Sequence, residues 1–187
     1  MDPFLVPTAI VAAAEVGDKT QLLTLLLTAR YRRPWVISLG ILIATLANHA
    51  GAAGIGEGLA RLINPDIQRY VVAAAFVLMG LWLLKPDEMD DDEASKSFGG
   101  VLLTTVFLFF LAEMGDKTQI ATVALAARYE AFIPVVAGTT LGMLIANVPV
   151  AFGGQMIIER VPVVWIQRSA AGLFFLLGIL TFFSPWA

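Results

Sequence analysis

Two small groups of ionisable side chains interrupt otherwise apolar stretches of this chain: Glu15, Asp18 and Lys19, then Glu113, Asp116 and Lys117. A charge at the centre of a bilayer costs roughly 2.5–3.5 kcal/mol on insertion scales, so such groups face one another, water or a bound ion rather than lipid. Helical residues three and four apart are neighbours, which puts Glu15 and Asp18 on one face and Glu113 and Asp116 on another. Each group therefore offers a pair of carboxylates. Two such pairs brought together make an oxygen-rich cage of the kind Ca²⁺ or Mn²⁺ takes. Four carboxylates and two ammonium groups sum to −2, a charge that one divalent cation or two protons would cancel. That arithmetic is the arithmetic of exchange: protons arriving on one side expel the metal, and metal arriving on the other expels protons.

Other polar residues surround these acids. On an unbroken helix Thr20 would point away from Glu15, but Gly17 and Gly115 stand where the backbone is free to unwind and turn hydroxyls or carbonyls inward. Thr20, Gln21, Thr118 and Gln119 are candidate further ligands or gating groups, or else hydrogen bonds between helices. Asn48 and Asn147, at matching places further along, are candidates to add an amide oxygen. Lys19 and Lys117 read as groups that tune or pair with the acids, since a bound cation repels them; i,i+4 pairs Glu15–Lys19 and Glu113–Lys117 are the purely structural alternative. His49, the only histidine, faces Val148 in the repeat comparison below and reads as a packing or hydrogen-bonding residue.

The elements that hold these groups are membrane spans. Of the 187 residues, 58% are hydrophobic and 14% charged, with a mean hydropathy of +0.81, against roughly 25% charged in soluble domains. A net charge of −3 argues against nucleic acid as a partner, and the lack of cysteine removes thiolate catalysis and sulfur-ligated metals. Apolar windows of about 20 residues run from Phe4 to Ala29, Trp35 to Leu59, Ile67 to Leu84, Gly99 to Ala127, Phe132 to Ile158 and Val163 to Phe183. No Lys or Arg precedes Lys19, so the first window is expected to remain as a span rather than act as a cleaved signal. Trp35, Trp82, Trp165 and Trp186 lie near the predicted span ends, as an interfacial aromatic belt requires.

Comparing the chain with itself shows a duplication. Residues 15–21 (EVGDKTQ) recur at 113–119 (EMGDKTQ), six identities in seven at an offset of 98, and the register continues through Gly40 and Gly138 and, one residue further on, Gln68-Arg69 and Gln167-Arg168. The predicted fold class is an all-α polytopic membrane protein with six transmembrane helices in two three-helix repeats, residues 1–85 and 99–187. An acidic linker, 86–98, joins them and reads as a solvated connection rather than a cation sensor. Three spans per repeat is an odd number, so the second copy enters the membrane inverted. Transporters built from inverted repeats place their site near mid-membrane and rock one half against the other. The first and fourth helices are expected to break near the motif. Seven Lys and Arg fall on the linker side and three on the other, so positive-inside bias puts the linker in the cytoplasm and both termini outside.

The Glu-x-Gly-Asp-Lys-Thr signature, present twice across a six-span chain with an acidic centre, resembles the Gdt-type cation/proton exchangers of bacterial and Golgi membranes, which move Mn²⁺ and Ca²⁺. The resemblance covers nearly the whole chain. It implies that Glu15, Asp18, Glu113 and Asp116 bind the cation, and that the metal is cargo rather than a cofactor. The short N-terminus fits a bacterial plasma-membrane protein, and association into homo-oligomers stays open. The expected function is a secondary antiporter exchanging a divalent cation for protons by alternating access, with no enzymatic activity. Two alternatives use the same acids: a proton-coupled exporter of a small cationic solute, and an intramembrane hydrolase with Asp18 and Asp116 as its dyad.

Overall fold

The computed structural model describes residues 2–85, 98–154, 156 and 163–183; the greater part of the acidic linker, and Trp186, lie outside them. The described residues contain eight helices and no strand: α1 Leu5–Ala14, α2 Lys19–Tyr31, α3 Pro34–Leu62, α4 Pro65–Leu83, α5 Val101–Glu113, α6 Lys117–Tyr129, α7 Phe132–Gly153 and α8 Val163–Phe183. Four of them, α3, α4, α7 and α8, are long and apolar enough to cross a membrane. The first and fourth predicted windows are instead each divided into two shorter helices, α1 with α2 and α5 with α6.

Local chemistry sets these boundaries. Asp2 Oδ1 accepts hydrogen bonds from the backbone N–H groups of Leu5 (2.7 Å) and Phe4 (2.8 Å) at the start of α1, and these bonds hold its carboxyl below the usual value. Pro34 and Pro65 open α3 and α4, where a missing N–H is harmless. Asn64 completes the start of α4 by accepting from Asp66 N–H at 2.9 Å. The matched helices α2 and α6 both end on a left-handed residue, Arg32 (φ 52°) and Glu130 (φ 48°), which reverses the chain into the long helix that follows.

The packing interleaves the two sequence repeats. The first helix of each packs on the long helix of the other, α1 on α7 and α5 on α3, while α3 also packs against α6 and α7, and α4 against α8. Close approach is what associates helices in an apolar solvent, where there is no hydrophobic gain in leaving lipid. Gly142 shows how tight the fit is: a Cβ there would lie 2.7 Å from the Thr8 carbonyl oxygen and 2.9 Å from Ala12 N on α1. The distribution of polarity is the reverse of a soluble protein's. Leu62, Trp35, Ile133 and Phe183 are among many large apolar side chains turned outward, whereas Thr20, Thr24, Thr45, Asn147 and the signature acids are buried.

Candidate cation site

The site grows out of the two helix breaks. After Ala14 and after Glu113 the helix stops, Gly17 and Gly115 adopt left-handed backbone (φ 77° and 75°), and Asp18 and Asp116 run extended before helix resumes at Lys19 and Lys117. Glycine is the residue that takes this conformation without a steric penalty. The glutamines staple each break. Gly17 N–H donates to Gln21 Oε1 at 2.9 Å and Gly115 N–H to Gln119 Oε1 at 2.7 Å. Their amide nitrogens donate outward, Gln21 to the Ala146 carbonyl at 2.8 Å and Gln119 to Asn48 Oδ1. Both ends of each glutamine are therefore engaged in holding the break.

Unwinding also turns the threonines inward, against the direction an unbroken helix would give them. Thr20 Oγ1 donates to Glu15 Oε2 at 2.5 Å, and Thr118 Oγ1 lies 3.2 Å from Glu113 Oε2 and 3.3 Å from Asp116 Oδ2. Asn147 sits one bond further out: its amide nitrogen is 3.5 Å from Thr20 Oγ1 and 3.2 Å from the Met143 carbonyl, and its Oδ1 accepts from Thr24 at 3.0 Å. Asn48 holds Gln119 and donates to the Phe110 carbonyl at 3.3 Å.

The lysines do not follow helical register. Because the break intervenes between Glu15 and Lys19, each lysine instead reaches the aspartate of the other signature: Lys19 Nζ lies 3.0 Å from Asp116 Oδ1, and Lys117 pairs with Asp18. The signatures thus face each other directly. Glu15, Asp18 and Asp116 each present a carboxylate oxygen, all within 4.8 Å of one another. That span is the width of one Ca²⁺ coordination sphere, roughly 4.6–5.2 Å from Ca–O bonds of 2.3–2.6 Å. Glu113 adjoins the cluster through the Thr118 hydroxyl it shares with Asp116.

The electrostatics suit a cation. The N-terminal ends of α2 and α6, at Asp18 and Asp116, carry positive partial charge that steadies those carboxylates, while the C-terminal ends of α1 and α5 direct backbone carbonyls toward the gaps. Oε1 of Glu15 and Oε1 of Glu113 are buried without a hydrogen-bond partner among the described residues, a costly arrangement that a coordinated ion relieves. The two halves are not equivalent. Lys117 is only 3% exposed and Lys19 25%. Gly17 is covered by Val163 and Gln167 of α8, whereas a Cβ on Gly115 would meet nothing within 4 Å.

Two contacts at the breaks escaped the sequence reading, and His49, read there as a packing or hydrogen-bonding residue, lies beside an acid of the signature. Gln167 donates to the Val16 carbonyl inside the first break at 3.2 Å; its repeat match, Gln68, bonds the Ala127 carbonyl at 2.8 Å instead, so the duplication marked the residue but not its use. Thr24, matched by Thr122 at the offset of 98, anchors Asn147. His49 lies with Nε2 3.6 Å from Glu113 Oε2, a proximity that no sequence spacing announces.

With two facing acidic signatures on broken helices, the chain can be placed among known proteins. It matches the family described as divalent cation/proton antiporter GDT1 over residues 3–91 and 101–187. The chain belongs to this GDT1 family. It is accordingly a membrane transporter that exchanges a divalent cation for protons, and not an enzyme, so the hydrolase and organic-cation alternatives fall away. It is 47% identical over 184 residues to a Vibrio cholerae protein described as "Putative manganese exporter", covering 98% of this chain and 92% of that one. A GDT1-like protein of Synechocystis sp. is 29% identical over 199 residues (95% of each chain), and GDT1-like protein 3 of Oryza sativa subsp. indica is 27% identical over 210 residues (98% of this chain, 75% of the relative). No solved structure matches the chain.

Proposed function

We propose that this GDT1 protein exchanges one Mn²⁺ or Ca²⁺ for protons at a single mid-membrane site built by Glu15, Asp18, Glu113 and Asp116. The observation that carries this reading is the crossed pairing of Lys19 with Asp116 and Lys117 with Asp18, because it places both signatures around one volume. Each ammonium neutralises an aspartate until a divalent cation takes its place, and protons on the glutamates complete the balance when the metal leaves. The name of the Vibrio cholerae relative favours manganese as the cargo.

Six spans in two inverted repeats, 1–85 and 99–187 with 86–98 between them, are the architecture that best serves this exchange. At a rise of 1.5 Å per residue, α1 and α2 (10 and 13 residues) together run about 35 Å and α5 and α6 (13 residues each) about 39 Å, long enough for each broken pair to cross a bilayer core of about 30 Å when tilted. Their breaks then fall near the midplane. The swapped packing of α1 on α7 and α5 on α3 supports a two-fold relation between the repeats, and an odd span count per repeat supports an axis lying in the membrane plane. Unequal cover over the two breaks suits a site reached from one side at a time. The arginine and lysine distribution orients the linker to the cytoplasm and the termini outward across a bacterial plasma membrane.

The test follows internal pH in proteoliposomes on adding Mn²⁺ and then Ca²⁺, with wild type and Glu113→Gln. Cation-dependent proton flux in the wild type that is lost in the variant supports the reading; equal flux in both overturns it.

A further inference from the structure

His49 is fully buried on α3, and neither ring nitrogen has a hydrogen-bond partner among the described residues. Burying an imidazole and leaving both nitrogens unbonded is expensive, and buried polar atoms are almost always satisfied. The same is true of its neighbour, since Oε1 of Glu113 is also buried without a partner. The two side chains approach each other, His49 Nε2 to Glu113 Oε2 at 3.6 Å, too far for a hydrogen bond. Adjacent ligands of an octahedral ion such as Mn²⁺, with bonds of about 2.1–2.2 Å meeting near 90°, stand about 3.0 Å apart. At 3.6 Å the two atoms are about half an ångström beyond that spacing, beside the Glu15–Asp18–Asp116 cluster rather than within it, so a bound ion draws them in by a small side-chain movement.

The repeat supplies a contrast. Val148 is the repeat match of His49 and offers no donor; Glu15 and Glu113 each have a matched threonine hydroxyl, Thr20 and Thr118, and Glu113 alone has an imidazole beside it. A purely all-oxygen cage would be equally well built from two matching halves. Ca²⁺ and Mg²⁺ take oxygen ligands; imidazole suits the later first-row cations best, and Mn²⁺, which shares the carboxylate preference of Ca²⁺ and Mg²⁺, still accepts a single nitrogen more readily than those two do. We propose that His49 is a nitrogen ligand of the transported cation, paired with Glu113, and that it biases the site toward transition cations such as Mn²⁺ over Ca²⁺ and Mg²⁺. This assignment rests on the shared cation site proposed above and adds to it the residue that sets selectivity.

A single histidine makes the test specific. Full-length protein with any affinity tag removed, purified in detergent and loaded with Mn²⁺, is studied by pulsed electron paramagnetic resonance with natural and ¹⁵N-histidine-labelled samples. Bound Mn²⁺ is expected to show an imidazole nitrogen coupling that changes frequency on labelling, and the wild-type spectrum alone decides this whether or not a variant folds. In His49→Gln the coupling disappears and the ratio of Mn²⁺ to Ca²⁺ affinity falls by about tenfold or more. Bound Mn²⁺ with no labelled-nitrogen coupling overturns the His49 assignment and leaves the carboxylate site standing. No bound Mn²⁺ at all overturns the site itself.

Discussion

Replacing Lys117 by Met separates the two roles its ammonium plays. Both Lys117 and its partner Asp18 are buried, and removing one member of a buried ion pair costs about 3–5 kcal/mol because the other charge is left uncompensated. In the absence of divalent cation the variant is therefore expected to unfold at lower temperature. The same change takes the site from −2 to −3. A unit charge about 6 Å from a divalent ion's centre interacts with it by about 5.5 kcal/mol at an effective dielectric of 20, which corresponds to a ceiling on the order of 10⁴-fold in affinity. Because the lysine in the wild type moves aside when the cation enters, the gain for the variant lies at or below that figure. Lys117→Met is thus expected to bind Mn²⁺ more tightly, by about tenfold or more and below that ceiling, to gain more thermal stability from Mn²⁺ than the wild type does, and to turn over more slowly because release is impeded. Titrating Mn²⁺ against detergent-solubilised protein, with free ion followed by its resonance signal, measures the affinity; thermal unfolding with and without Mn²⁺ measures the coupling. A folded variant whose Mn²⁺ affinity is unchanged or weaker would refute the idea that lysine and cation compete for the same carboxylates.

Further outcomes follow from the same geometry. Lys19→Met should shift stability and Mn²⁺ affinity in the same directions but by less, since Lys19 is 25% exposed and water screens its pair with Asp116; equal effects in the two titrations would contradict this. Gly115→Ala meets only the left-handed backbone, about 1–2 kcal/mol, while Gly17→Ala adds a collision with Val163 and Gln167, so thermal unfolding should rank Gly17→Ala the less stable of the two. Gly142→Ala should loosen α1 from α7, with a Cβ forced to within 2.9 Å of two backbone atoms. Gly51→Ala, with open space around it on α3, serves as the control and should be neutral or slightly stabilising; similar losses in both would count against close packing at Gly142.

Much of this arrangement is legible in the sequence because it rests on local rules. Six ionisable groups in apolar stretches cannot face lipid, and a glycine two residues after each glutamate is where a helix can break; both breaks fall there, at Gly17 and Gly115. The duplication at an offset of 98 made the pairing of the two signatures an expectation from symmetry. What escaped was tertiary. Helical spacing pairs Lys19 with Glu15, and only the chain path through the break shows that it crosses to Asp116. Gln21 and Gln119 look like ligands from composition, yet a glutamine four residues past an unwound glycine is in position to bond that glycine's N–H, and this consumes it. The nearness of His49 to Glu113 depends on how α3 rotates against α5, which no pattern in either helix encodes.

The most direct measurement is the number of cations bound per chain, with the protons released, by titration calorimetry in two buffers of different ionisation enthalpy. A shared site predicts one Mn²⁺ per chain with net proton release, and loss of that one binding event in Asp18→Asn and in Asp116→Asn alike. Two Mn²⁺ per chain, with each variant losing one and keeping the other, would show that the two signatures work apart.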